Sequence, residues 1–151
     1  MRLFNRKVLV LDAGEAPYAL VVARSLGSAG YAVDLGFPHG NHTFEAFSRY
    51  CKNFLTYPDP SYAIEDFHNF LLSIAGKYNF ILPLMEKTQL ATSMIKNELE
   101  KEGAVIPIPS YHILSIAVNK IAILELASKL HITIPKTLIV YDEPKFNEVI
   151  K

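Results

Sequence analysis

Apolar positions follow two alternating rhythms along most of this chain. Arg6 to Asp12 (RKVLVLD) is a short, nearly continuous apolar run rich in branched residues, and it ends just before Gly14. Such a run reads as a buried strand. The period then changes. Ala19, Val22, Ala23 and Leu26 recur at helical spacing, with Pro17 near the first turn and Gly30 beyond the last, which are the places where helices start and stop. Tyr31 to Gly36 (YAVDLG) is strand-like again. A strand, a helix and a strand in this order predict a parallel pair joined by a right-handed crossover.

The alternation continues. Asn53 to Tyr57 predicts a third strand, and Asp59 with Pro60 predicts a helix start. The stripe on that helix is Phe67, Phe70, Leu71, Ile74 and Ala75. Phe80 to Leu84 (FILPL) predicts a fourth strand, followed by a helix from about Glu86 to Glu102 that Gly103 closes. Ala104 to Ile108 (AVIPI) predicts a fifth. The expected fold is therefore α/β, an open, mostly parallel, Rossmann-like sheet with helices on both faces.

From Pro109 the rhythm breaks. Ser110 can cap a short helix carrying Ile113, Leu114 and Ala117. A second helix is expected from Asn119 to about Leu130, with Glu125 and Lys129 at the favourable i,i+4 spacing. Then come HITIPKT, a strand-like Leu138 to Tyr141, and Pro144 opening a helix with room for barely two turns. Phe146, Val149 and Ile150 give that helix an apolar edge with nothing in the sequence to face. It reads as a unit cut short; the other reading is an ordinary frayed terminus.

Composition narrows the class. The 151 residues suit one domain with a short appendage, half of them are hydrophobic, and 20% are charged. That is the range of folded globular proteins, far from disorder. Fifteen basic residues balance fifteen acidic ones and no basic stripe stands out, which argues against nucleic acid as a partner. No apolar run approaches the ~20 residues that span a bilayer, and Met1 to Asn5 lack the apolar core of a secretory signal. The lone Cys51 cannot close an internal disulfide. No membrane partner and a cytoplasmic location are the expectation.

In open α/β sheets ligands bind at the carboxyl ends of the strands. The segments to weigh are thus Asp12 to Ala16, Gly36 to Asn41, Pro83 to Thr88 and Pro107 to Ser110. Asp34, twenty residues after Gly14, stands where a ribose-binding acid belongs, but Ala16 and Ala19 occupy the other glycine positions of a dinucleotide loop. Glu15 would also bring negative charge towards a pyrophosphate. A response-regulator site fails too, because the first strand ends in a single acid, Asp12, and the fifth ends in Ile108 and Pro109 rather than lysine. His39 and His42 lack a third ligand for zinc. His68, His112, His131 and Cys51 suit structural places. Glu86 directly follows the fourth strand, where a carboxylate can receive an amine or hydroxyl, although a helix N-terminus favours an acid there in any case. Lys120 begins a helix, where a cation opposes the dipole and gains nothing locally; it could instead reach a phosphate.

Together these segments resemble the pre-ATP-grasp domain of the ATP-grasp superfamily, near its carbamoyl-phosphate-synthase-like and carboxylate–amine ligase-like members. The resemblance spans nearly the whole chain and rests on LDAGEAPYALVVARSLGSAGYAV, SRYCKNFLTYPDP and ILPLMEKTQLATS. Its most specific piece is VNKIAILELASKLHITIPKT, Val118 to Thr137. This run is similar to a family signature of Asp-Lys, a helix, then Gly-Ile-x-x-Pro-x-Thr. Asn119 stands where aspartate is usual, and asparagine also caps helices. His131 stands where glycine is usual, in a left-handed turn that histidine can adopt at some cost.

The resemblance implies a division into a pre-ATP-grasp domain, residues 1–109, and linker helices with the beginning of an ATP-grasp domain, residues 110–151. It implies ATP binding by Lys120 and substrate binding by Gly14, Glu15 and Glu86. It implies ATP and Mg²⁺ as cofactors of a complete enzyme and ATP-grasp domains downstream as partners, with a homodimer plausible. The family's other phosphate and metal ligands lie further along than residue 151. This chain alone is thus expected to be inactive and to bind ATP weakly at most. The competing reading is a stand-alone module that binds a small ligand or a partner.

Overall fold

A computed structural model describes residues 6–12, 18–40 and 48–140. The chain divides into two compact units, Met1–Leu114 and Ser115–Lys151, and each is considered by itself.

The first unit is built on four strands, β1 (Lys7–Val10), β2 (Ala32–Pro38), β3 (Cys51–Tyr57) and β4 (Phe80–Leu82). They lie in the order β3-β2-β1-β4, and every pairing is parallel. Four helices accompany them: α1 (Tyr18–Ser28), α2 (Ile64–Ile74), α3 (Glu86–Met94) and α4 (Lys96–Lys101). Successive side chains of a strand face opposite ways, so β1 serves two cores. Val8 and Val10 pack with Val33, Leu35, Ala19 and Ala23 on the α1 side. Leu9 and Leu11 pack with Phe67, Leu71, Ile81 and Leu99 on the side of α2, α3 and α4. Burying each of these large side chains is worth about 1.5–3 kcal/mol. Helices on both faces of an all-parallel sheet match the expected fold class.

Several boundaries differ from the sequence reading. The fifth strand, expected over Ala104–Ile108, is reduced to one parallel bridge between Phe80 and Val105. Val105 exchanges backbone hydrogen bonds with Asn79 and Ile81, but Ile108 N–H turns back to the Ile106 carbonyl. Pro107 has no N–H to extend the ladder. The long helix expected from Glu86 breaks at Ile95, whose φ of −113° and ψ of 18° leave the helical region. Asp59 and Pro60 do not start α2. The Asp59 carboxylate accepts from Ser61 N–H at 2.8 Å, an Asx turn, and α2 begins five residues after Asp59 behind an Ala63 that offers no side-chain cap. The third strand begins at Cys51, earlier than expected, and the fourth stops at Leu82 ahead of Pro83.

Helix ends were more legible. After α1, Gly30 N–H bonds to the Gly27 carbonyl and Tyr31 N–H to that of Leu26, the paired bonds of a Schellman turn. Gly103 closes α4 in the same way, and both glycines have positive φ. Gly27 serves a different need: a Cβ there would lie 2.6 Å from the Cβ of Tyr50, so only glycine lets α1 approach that ring.

The helix α5 (Tyr111–Val118) leads into the second unit, whose main element is α6 (Lys120–Lys129). Asn119 caps α6, its side-chain oxygen accepting from Ile121 N–H at 3.0 Å and Ala122 N–H at 3.1 Å. At the other end, Ile132 N–H reaches the Ala127 carbonyl and His131 N–H that of Ser128. This is again a Schellman turn, here with His131 in the left-handed position at φ 58°, as the sequence led one to expect. A side chain in that region costs about 1–2 kcal/mol, so His131→Gly is expected to stabilise the helix end by about 1 kcal/mol. Chemical denaturation of the chain carrying that change checks it. Residues 138–140, expected as part of a strand, have no regular structure; the helix expected after Pro144 lies outside the described residues. No single helix among the described residues is long and apolar enough to cross a membrane.

Candidate functional site

The carboxyl ends of the strands converge on Asp12. It follows β1 by two residues, sits at φ 69° and is only 2% exposed. One carboxylate oxygen, Oδ2, accepts three hydrogen bonds from a single stretch after β4. They come from Leu84 N–H at 2.8 Å, Met85 N–H at 2.9 Å and the Thr88 hydroxyl at 2.6 Å. The other, Oδ1, accepts from the Tyr57 hydroxyl at 3.1 Å, and the same phenol oxygen receives Asp12 N–H at 3.2 Å. Burial pushes the Asp12 carboxyl above the usual carboxylate range, against the opposing pull of these donors. Asp12 thereby ties the ends of β1 and β3 to the start of α3.

A second tie holds the first turn of α3. Lys87 Nζ lies 3.0 Å from Asp59 Oδ2, joining α3 to the turn after β3. Between these ties Glu86 is exposed at the first position of α3. Its carboxylate has no partner among the described residues. At the start of α4, Lys96 Nζ donates to the Ile108 carbonyl at 2.6 Å.

The structure sorts the remaining sequence candidates. Gly14 and Glu15 lie outside the described residues, as does His42. Lys120 is exposed at the first position of α6, with no carboxylate paired to it among the described residues. It belongs to the second unit, whereas Glu86 belongs to the first. Asp34, weighed as a ribose-binding acid, is 1% exposed and fully engaged within the fold. It takes the Lys7 ammonium at 2.9 Å, the Asn53 amide at 2.9 Å and the Tyr78 hydroxyl at 2.9 Å. His68 Nε2 meets the Ala91 carbonyl at 2.9 Å, a structural place. Cys51 contacts the Asn53 carbonyl, and burial raises its thiol pKa, so the thiolate is not favoured. Among the described residues no three His, Cys, Asp or Glu side chains are grouped to hold a metal.

Sequence reading passed over the hub itself. In the sequence Asp12 and Thr88 stand only as ends of candidate loop segments, and Tyr57 as the end of a strand. One signal was available: an acid that closes an apolar, buried strand is seldom left without partners.

No protein-family profile matches the sequence, and no curated protein sequence does either. Solved structures do match. An L-amino acid ligase from Bacillus licheniformis superposes with a TM-score of 0.69 over 99% of this chain and 42% of its own, at 10% identity. The biotin carboxylase domain of a single-chain bacterial carboxylase gives 0.65 over 97% and 34%, at 14% identity. Pyruvate carboxylase from Rhizobium etli gives 0.62 over 87% and 13%, at 16% identity. The chain spans well under half the length of each. At these identities the likeness is one of fold: each of these larger proteins contains a region with the same arrangement of parallel sheet and helices.

Proposed function

We propose that this chain is the substrate-side N-terminal domain of an ATP-dependent ligase. In the complete enzyme a carboxylate oxygen would attack the γ-phosphorus of ATP and expel ADP. An amine or similar nucleophile would then displace phosphate from the acyl-phosphate. Residues 1–109 form the pre-ATP-grasp domain in this reading, and residues 110–151 form the linker and the start of the ATP-grasp domain. Glu86, with the Gly14–Glu15 loop, serves the substrate. Lys120 serves the ATP phosphates. The remaining phosphate contacts and the carboxylates for Mg²⁺ would come from ATP-grasp domains that follow in the chain or on a partner subunit. Alone, the chain would have no ligase activity.

The observation that carries this reading is the local geometry around Lys120. The Asn119 cap orients the first turn of α6, and the lysine stands there exposed, a cation against the positive end of the helix dipole. An anionic ligand resolves that arrangement, whereas helix stability alone does not. The Schellman turn at His131 completes the resemblance to the family signature.

In an enzyme that includes the ATP-grasp region, Lys120→Ala is expected to weaken MgATP binding about tenfold or more. One charge-assisted hydrogen bond is worth about 1.5–3 kcal/mol, and 1.4 kcal/mol is a factor of ten. Titration calorimetry reads the affinity, and an unchanged value would remove Lys120 from the nucleotide site. The intact mass of the protein in its source cells separates this reading from a stand-alone binding module, for which 16.9 kDa is the expected value.

A further inference from the structure

We propose that Asp12 is a positioning residue for the substrate: its buried carboxylate sets the backbone of Leu84 and Met85, and with it the aim of Glu86. The inference rests on the reading of Glu86 as a substrate-side carboxylate and adds the residue through which the fold controls it.

The case begins with the start of α3. Its N-cap, Met85, provides no side-chain hydrogen bond. A serine or aspartate at that position would satisfy the helix locally. Asp12 at the end of β1, 72 and 73 residues away in sequence, instead holds the amides of Leu84 and of Met85 itself, just ahead of the helix. A local cap stabilises a helix wherever the helix happens to lie. A clamp reaching out from β1 to the residues just ahead of α3 fixes the helix start relative to the sheet.

The bonding is also divided by destination. Among the described residues, the donors to Oδ2 come from the 84–88 stretch and the donor to Oδ1 is Tyr57. The Thr88 hydroxyl, sharing its one proton, also lies 2.9 Å from the Met85 carbonyl, which accepts from Gln89 N–H at 2.9 Å, so both the N–H and the carbonyl of Met85, the residue preceding Glu86, are held. The Gln89 amide reaches back to the Leu84 carbonyl at 3.2 Å. Glu86 itself is left unpartnered among the described residues. A loop bound at its backbone with its one acid free is how a binding carboxylate is held in place in advance of its ligand. The left-handed backbone of Asp12 fits the same picture, since sparsely populated conformations gather at functional sites.

The test uses the complete enzyme, with ADP release from MgATP measured across a panel of amino and 2-oxo carboxylic acids. For the acid that responds, Asp12→Ala is expected to raise KM at least tenfold, with kcat and the KM for MgATP within about twofold. Asp12→Asn keeps an acceptor oxygen towards Leu84, Met85 and Thr88, and should restore the KM. Thr88→Val, which removes one of the three donors and keeps the volume, should raise it several-fold; it decides the question by the same split if Asp12→Ala does not fold. In the 151-residue chain, hydrogen exchange at the Leu84 and Met85 amides should quicken at least tenfold in Asp12→Ala and stay slow in Asp12→Asn.

An unchanged acid KM in the folded variants, or equal rises for the acid and MgATP, would overturn the positioning role. So would unchanged exchange at both amides. If no acid elicits ADP release from the wild-type enzyme, the reading of Glu86 fails and takes the positioning role with it. The exchange rates would then still report whether Asp12 clamps the loop, which keeps the two failures apart.

Discussion

Asp12→Ala is expected to destabilise the first unit by about 3 kcal/mol, lowering its thermal midpoint by roughly 10 °C. Alanine leaves the Leu84 and Met85 amides and the Thr88 and Tyr57 hydroxyls without their acceptor. A buried donor stripped of its partner costs about 1–3 kcal/mol, and water entering the vacated space offsets part of the sum. Alanine also tolerates the left-handed backbone less well than aspartate. Asp12→Asn should cost only about 1 kcal/mol, because one oxygen still faces the 84–88 stretch and the amide can donate to the Tyr57 oxygen.

The same pair of proteins carries a pH signature. Burial holds the folded Asp12 carboxyl above its unfolded value, so the folded state binds this proton more tightly than the unfolded chain does. Stability from this group is therefore full below the unfolded pKa, about 3.9, and is lost as pH rises through the folded one. Between those limits wild type should gain on Asp12→Asn as the solution is acidified. Thermal melts of both proteins in steps from pH 7 to pH 4 read the difference. A constant gap would show that the carboxyl does not titrate in that window.

Asp34→Ala is the second large effect, also about 3 kcal/mol, measured by denaturant unfolding. Asp34 alternates with Val33 and Leu35 along β2 and so faces the α2 side of the sheet, where Tyr78 is buried. Removing it strands the Tyr78 hydroxyl and the Asn53 amide. The Lys7 ammonium is 37% exposed and can turn to water, which keeps the loss below that of a wholly buried ion pair. Lys7 also lies over the Tyr78 ring, 4.8 Å from its centroid.

The phenol reports on this cluster. Burial, then the hydrogen bond it gives to Asp34 and the negative charge there, push the Tyr78 pKa above that of a free tyrosine. The neutral form is the one the fold favours. Its contribution is present below the unfolded pKa, about 10, and is lost as pH rises beyond it. An alkaline absorbance titration should show Tyr78 ionising at higher pH than a free tyrosine, and Asp34→Asn should bring it forward. Identical curves would mean that Asp34 has no part in the shift.

Much of the architecture was legible residue by residue. The run Val8–Leu11 could only be a buried strand, since it has no polar side to give to water. Gly30 and Gly103 announced helix ends because few other residues take their backbone conformation. Asn119 and His131 marked both ends of α6 for equally local reasons. The errors share a cause. Ala104–Ile108 has a strand's composition, but whether a strand forms depends on a neighbouring edge and on Pro107 having a donor to give. The stretch from Glu86 has helical periodicity throughout, and its break at Ile95 places Leu99 in the α2-side core, a matter of packing that no local pattern records.

The candidate site divides in the same way. The sequence by itself determined that an acid would stand after the fourth strand and a lysine behind a helix cap, because a chain position beside a strand or helix end follows from periodicity. Which acids would be spent inside the fold and which left free was decided only by the tertiary structure. Asp12, Asp34 and Glu86 are alike in the sequence as acids within or shortly after a strand. Folding brings donors from 19 to 76 residues away to Asp12 and Asp34 and brings none of the described ones to Glu86. A carboxylate's chemistry depends on its desolvation and its donors, and for these residues both come from parts of the chain that only the packed sheet puts beside them.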